Sequence, residues 1–454
     1  MQETAMLRAR FGSRSFSTLI LVLWIFLGIP PSICGAQNLQ TAWQQAAATS
    51  PEVAQARAQL EAQQAGRSIA RSALLPHLEG GASGGINTAH VTGFGSQPIS
   101  TGYHSDIFSA SLTASVLDGQ SLIAVKQADS RIRASEAALA YTEQNLELAV
   151  TEAYFGVLRA QANEHVARKQ EKLLEGIDAE TLAKLHVGTG DIISVREVEA
   201  QLDATKSDLI VATNAVAIAK DQLQQLTHHP VGTLQDVKTL EPIGPQPGTV
   251  APWIAAALRN QPLLRRARAE WKESQQQVQF AKRAWWPTLT LSGTGLHSSG
   301  ALLPPLVVNQ VGASLNLSVP IYQGGSIRAG VRQAKALSKA SQARVGAMQD
   351  QVRLETQTAF LELENSAEQF HAAQQAVRSA QTSLDATRKG FEIGSRSIID
   401  LLTATTQLAS VQRTYYLALY TQLVARVQLK AAAGVLSATD IQSINTLLSA
   451  APSH

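Results

Sequence analysis

Two stretches of unbroken helical sequence constrain this chain more than any other feature. Gly119 to Gly188 and Gly325 to Gly394 each span 69 residues with no internal proline. At about 1.5 Å per residue, each predicts a helix roughly 100 Å long. A compact domain has no room for such a helix, so it projects as a rod or lines a tube. Apolar residues repeat every seven positions along both: Ile132, Leu139, Leu146 and Ala153 in the first, Val345, Val352 and Ala359 in the second. This is coiled-coil spacing, with small residues permitting close approach.

The two stretches belong to a duplication. Pro51 pairs with Pro262 and Pro76 with Pro287 at an offset of 211. Gly119 pairs with Gly325, and Ala153-Tyr154 with Ala359-Phe360, at 206. The drop of five residues places a length-variable loop between Pro76 and Gly119. The first copy is expected over 37–227 and the second over 253–436. A Pro/Gly-rich linker, 228–252, joins them, and 437–454 reads as a tail. Each copy has one order: a helix (40–74, 253–285), two strands (77–90 and 105–117; 288–298 and 308–320), the long helix (120–187, 326–393), a glycine break, then a shorter helix (191–227, 397–433). The fold class is mainly α, with long antiparallel coiled-coil helices, four strands per chain and an internal two-fold duplication.

The strands alternate strictly. In 108–116, Phe108, Ala110, Leu112, Ala114 and Val116 interleave with serines and a threonine; in 311–319, Val311, Ala313, Leu315, Leu317 and Val319 interleave with Gly312, Ser314, Asn316 and Ser318. Residues 288–296 alternate too, whereas 78–86 is Gly-rich and less clear. Alternation over about ten residues suits a transmembrane strand with one face to lipid and one to water. A soluble sheet over a core is the competing reading, and it lacks an obvious cover. Open edges leave backbone groups unsatisfied in lipid, and about eight strands are the practical minimum for a barrel. Strands from several chains must therefore combine. Trp285 and Trp286, at the entry to the third strand, suit a membrane–water interface.

The N-terminus reads as an export signal. Arg8, Arg10 and Arg14 precede an apolar run, and Cys34 and Ala36 supply the small −3/−1 residues for cleavage after Ala36. A retained anchor, or lipidation at Cys34, is the alternative; bulky Ile33 disfavours the latter. No apolar run of about 18 residues follows Ala36. The net charge of +3 and 16% charged residues give no basic face for nucleic acid. No catalytic or nucleotide-binding motif is found, so no enzyme and no cofactor is expected. His228-His229 is an isolated pair that reads as surface rather than metal site.

The duplicated plan, with its most specific stretches at 376–408 and 429–441, resembles the TolC-type outer-membrane efflux channels over about residues 38–445. The resemblance implies a homotrimer. Its twelve strands would form one shared β-barrel in outer-membrane lipid, and its helices a trimeric α-barrel crossing the periplasm. It also implies a periplasmic adaptor (membrane fusion protein) and an inner-membrane pump of RND, ABC or MFS type, working in efflux or type I secretion. The glycine breaks then become hairpin tips at the periplasmic end: Gly188, Thr189, Gly190 and Asp191, and Gly394, Ser395 and Ser397. These form the gate and the adaptor-docking surface. Arg396 and Asp400 stand at the family's gate arginine and first aspartate. Phe391 replaces its tyrosine, Thr403 its second aspartate, and Ser194 the aspartate that partners the arginine. A soluble periplasmic coiled-coil adaptor is the second reading; it explains the heptads and the export signal but not the strands.

Overall fold

The computed structural model describes residues 37–91, 99–237, 244–300 and 307–450. The expected signal segment, 1–36, lies outside the described residues.

The first repeat contains α1 (Leu39–Thr49), α2 (Pro51–Ser72), β1 (His77–Val91), β2 (Ile99–Leu117), α3 (Gly119–His186) and α4 (Ile192–Thr227). A short strand, β3 (Gln235–Val237), precedes the second repeat: α5 (Val250–Asn260), α6 (Pro262–Arg283), β4 (Thr288–Ser299), β5 (Val308–Ser318), α7 (Ser326–Glu392) and α8 (Ile398–Ala432). Helix α9 (Ala438–Asn445) and strand β6 (Leu448–Ala450) end the described chain.

The single helices expected over 40–74 and 253–285 are each broken in two. Ser50 (ψ 120°) and Gln261 (ψ 121°) leave the helical region just before Pro51 and Pro262. A residue before proline is pushed out of the α region, and proline itself is tolerated at a helix start. Ser50 then caps α2, its Oγ accepting from Val53 N at 3.4 Å.

The long helices α3 and α7 run 68 and 67 residues without interruption. Helix α3 pairs with α4, α7 pairs with α8, and α3 also packs on α8. Beyond the ends of α4 and α8, helices α2 and α6 continue the wall, packing on α3 and α7. One side of every helix meets a neighbour, and the opposite side of α7 stays largely exposed.

The strands make one antiparallel sheet in the order β1-β2-β4-β5. The two repeats meet at β2–β4, so β1 and β5 are both free edges. Register puts most apolar residues of the four strands on one face, with Ile107, Leu296 and Val308 on the other. Rows run Leu78–Leu112–Gly293–Ala313, Gly80–Ala110–Gly295–Val311 and Ala82–Phe108–His297–Asn309. Glu79–Ser111–Thr294–Gly312 and His77–Thr113–Ser292–Ser314 lie on the other face. An irregularity between Ser115 and Leu117 restores this phase at the inner end, where Leu117, Leu289 and Leu317 align. From Leu289 to His297 the band is about 27 Å along the strand. With the usual tilt near 40°, that approaches the ~25 Å apolar height of an outer-membrane barrel. No element among the described residues covers this face: Leu78 is 75% exposed, Phe108 56% and Val311 92%. β1 and β2 run longer than expected, pairing as a two-stranded ribbon beyond the end of β4.

Short pieces of the linker and the tail pair with each other. β3 pairs antiparallel with β6, and Gln37 bridges to Leu234. Two buried tyrosines hold this small sheet on the long helices. Tyr154 of α3 donates to the carbonyls of Gln235 (2.8 Å) and Gln37 (3.1 Å). Tyr420 of α8 donates to Asp236 Oδ1 at 2.9 Å. Burial pushes both phenols well above their usual range. Around them lies the largest core cluster, with Phe155, Phe370, Leu423 and Ile441. This belt sits midway along α3.

Glu147 of α3 is buried near the belt, and its Oε1 has no hydrogen-bond partner among the described residues. Burial, and next the Asp440 carboxylate, push its carboxyl up to about 7. An acid held above its unfolded value of 4.5 loses stability as pH rises from there through about 7. The thermal midpoint of the detergent-solubilised protein should therefore fall between pH 5 and pH 8. Glu147→Gln should flatten that fall and stabilise the protein at pH 8 by up to about 3 kcal/mol; an unchanged slope in melts followed by circular dichroism would refute it.

Candidate functional site

The two glycine breaks are built as near-copies. Gly188 (φ 75°) and Gly394 (φ 74°) occupy the left-handed position just past a helix end. In the first tip the carbonyl of Lys184 accepts from Thr189 N and Gly190 N, both at 2.9 Å, and Thr189 Oγ1 donates to it at 3.2 Å. In the second, the Gly390 carbonyl accepts from Ser395 N (2.8 Å), Arg396 N (3.2 Å) and Ser395 Oγ (3.1 Å). These bonds satisfy one carbonyl in the last turn of each of α3 and α7, and the chain reverses within five residues.

Each return helix is capped as its sequence implies, with the roles of serine and aspartate exchanged. Asp191 caps α4, accepting from Ser194 N (2.9 Å) and Ser194 Oγ (2.7 Å). Ser397 caps α8, its Oγ accepting from Asp400 N at 3.1 Å. Asp400 Oδ2 accepts in return from Ser397 N (3.0 Å) and Ser397 Oγ (2.9 Å), completing a capping box. Hydrogen bonds from Ser194 hold Asp191 below the usual carboxylate range. Those from Ser397, and then the Arg396 charge, do the same for Asp400. Both carboxylates are exposed and ionised at neutral pH.

The other expected gate residues separate. Ser194 is engaged by Asp191 and does not reach Arg396. Arg396 is exposed and makes no ion pair within 4 Å among the described residues. Thr403 is exposed on α8, three residues after Asp400 and so on its face. Phe391 is half-buried against the core that ties the tips together, with Leu174, Ile177, Leu384, Ile398 and Leu401.

Two tip residues were missed. Lys184 places its Nζ 4.3 Å from the Phe391 ring centroid. Gly390 lies beneath Arg396, whose Cγ would stand 2.6 Å from any added Cβ. The repeat offset carries a signal for both. Lys184 corresponds to Gly390 and Gly190 to Arg396, so the large and small residues exchange between copies. A Cβ on Gly190 would likewise stand 3.1 Å from Lys184 Cβ and 2.9 Å from the Leu185 nitrogen.

At the far end of the helical wall, Trp285 and Trp286 form the turn from α6 into β4, each about 40% exposed. The Arg283 guanidinium lies 3.5 Å over the Trp286 ring. Indole and guanidinium thus meet just below the uncovered apolar band, where a membrane–water boundary would fall.

The family model described as "Outer membrane efflux protein" matches residues 42–228 and 253–435. The chain is 29% identical to outer membrane protein TolC of Escherichia coli, over 92% of this chain and 86% of that protein. It is 26% identical to the alkaline protease secretion protein AprF of Pseudomonas aeruginosa, over 83% and 80%. The fold matches the CmeC outer membrane channel of Campylobacter jejuni with a TM-score of 0.78, covering 90% of each chain at 18% identity. A soluble adaptor, the second reading of the sequence, is not supported: the match spans both repeats, and the apolar sheet face has no cover. On the extent of that match, the chain belongs to the outer membrane efflux protein family.

Proposed function

We propose that three copies of the chain form an exit duct through the outer membrane, open to solvent outside and gated at the hairpin tips in the periplasm. The observation that carries this reading is the sheet, with its exposed apolar face and two free edges mounted on a wall about 100 Å long. Pairing β5 of one copy with β1 of the next satisfies both edges and turns the apolar face to lipid. Two copies would give eight strands, a barrel whose interior side chains just fill. Twelve strands leave a passage. Residues 1–36 direct export and are removed after Ala36. The tips dock a periplasmic adaptor coupled to an inner-membrane RND, ABC or MFS pump. The duct thus serves efflux or type I secretion, in keeping with the secretion role named for one relative. Trp285 and Trp286 lie at the inner membrane boundary.

At the closed tips, three Asp400 carboxylates meet around the axis, with Arg396 and Thr403 beside them. Such a ring favours cations and binds multivalent ones. In each chain the hydrogen bonds from Ser397 hold Asp400 below the usual carboxylate range, and repulsion among three carboxylates in a ring acts in the opposite direction.

Planar-bilayer recordings test the reading. The purified protein should conduct, with cation preference and with block by multivalent cations from the tip side. Asp400→Ala should lower both; unchanged selectivity and block would leave Asp400 as a helix cap only. Ala313 lies mid-band on the apolar face and Ser314 on the opposite face. Ala313→Arg should cut the yield of membrane-inserted oligomer, at a cost of about 2–4 kcal/mol per chain, while Ser314→Arg should insert normally. Equal yields would contradict the assignment of faces.

A further inference from the structure

Among the described residues, the tips of the two helical hairpins within one chain are joined by one apolar cluster and one cation–ring contact. The cluster draws from α3, α4, α7 and α8. The cation–ring contact is Lys184 on the face of Phe391. The nearest ion pair between the hairpins among the described residues is Arg413 to Asp208 at 3.7 Å. It lies 15 residues further up α8 than Ile398, about 22 Å away along the helix.

Resting on the gate reading above, we propose that Lys184 and Phe391 form a clasp that holds the gate shut. It pairs Phe391, which stands at the family's gate tyrosine, with a cation from the α3–α4 hairpin, Lys184. Four features support it. Lys184 is fixed at its backbone, because its carbonyl takes three hydrogen bonds from the turn. Its ammonium is steered by Glu180, 2.8 Å away on the preceding turn. The Phe391 ring is held by its cluster, so neither partner loses much freedom when they meet. Finally, the corresponding second-copy position is Gly390, which has no side chain. Only the α3 tip can therefore present a cation here. Arg396 fills the space above Gly390 and reaches solvent instead.

The contact needs an aromatic face and a cation, not a hydroxyl. It therefore links the hairpins through Phe391, which has no hydroxyl to hydrogen-bond. Any motion that separates the α7–α8 tip from the α3–α4 tip must break it. A cation on an aromatic face at a partly exposed site is expected to shift the closed-to-open ratio roughly two- to five-fold per chain.

The test is a double-mutant cycle on resting conductance in planar bilayers, using the full-length protein. Lys184→Ala and Phe391→Leu should each raise resting open probability at least about two-fold. The double variant should do no more than either alone. Lys184→Arg and Phe391→Trp should keep the parental value, because each retains its half of the contact. Thermal melts of the same variants separate gating from folding, since the leucine keeps most of the apolar burial. Additive effects, or a leak from Lys184→Arg equal to that from Lys184→Ala, would overturn the clasp while leaving the duct intact. A parent protein with no conductance under any condition would overturn the duct and the clasp together.

Discussion

A sheet with two unpaired edges and one bare apolar face is the constraint on which the rest of the molecule depends. In water its apolar face would be exposed; in lipid its edge amides and carbonyls would have no partners. Neither solvent suits four strands alone, and only closure with other copies resolves both problems. The order β1-β2-β4-β5 makes closure possible. The repeats meet in the sheet's centre, leaving one edge from each repeat unpaired.

The helical wall follows from the same demand. A barrel rim needs support at every strand pair, and each pair is flanked by its own α2- or α6-type helix and its own long helix. The prolines at 51 and 262 stop the short helices so that α1 and α5 turn aside. At the waist the wall is girdled by the β3–β6 belt, pinned through Tyr154 and Tyr420. Away from this belt, the hairpin tips are joined by a smaller core. A few leucines and isoleucines and one lysine–phenylalanine contact join them there. A rigid waist with weakly joined tips suits a device that opens at one end.

Much of this was legible in the sequence. The 69-residue spacing between glycines, the offsets of 211 and 206, and the two-residue alternation give the helices, the duplication and the strands. Even the Gly-rich first strand follows once its partner is known, because Leu78 pairs with Leu112 and Gly80 with Ala110. What was not legible depends on contacts between distant segments. Residues 228–252 look like linker because they are rich in Pro and Gly, and 437–454 look like a tail. Within them, Gln235–Val237 and Leu448–Ala450 form strands only against each other. The helix breaks at Ser50 and Gln261 were marked by the prolines, but the strong helical pattern on either side masked them. At the tips, turn geometry and caps were readable from Gly188, Asp191, Gly394 and Ser397. The Lys184–Phe391 contact was not, because it joins residues 207 positions apart (391 − 184) that have no pairing in the repeat.

The central claim is that strands from three chains close one barrel in the outer membrane. The most direct measurement is the native mass of the protein extracted by detergent from the outer-membrane fraction. A trimer whose release requires detergent is the predicted result. A monomer or dimer released without detergent would contradict it, since neither could satisfy the sheet edges in lipid and leave a passage.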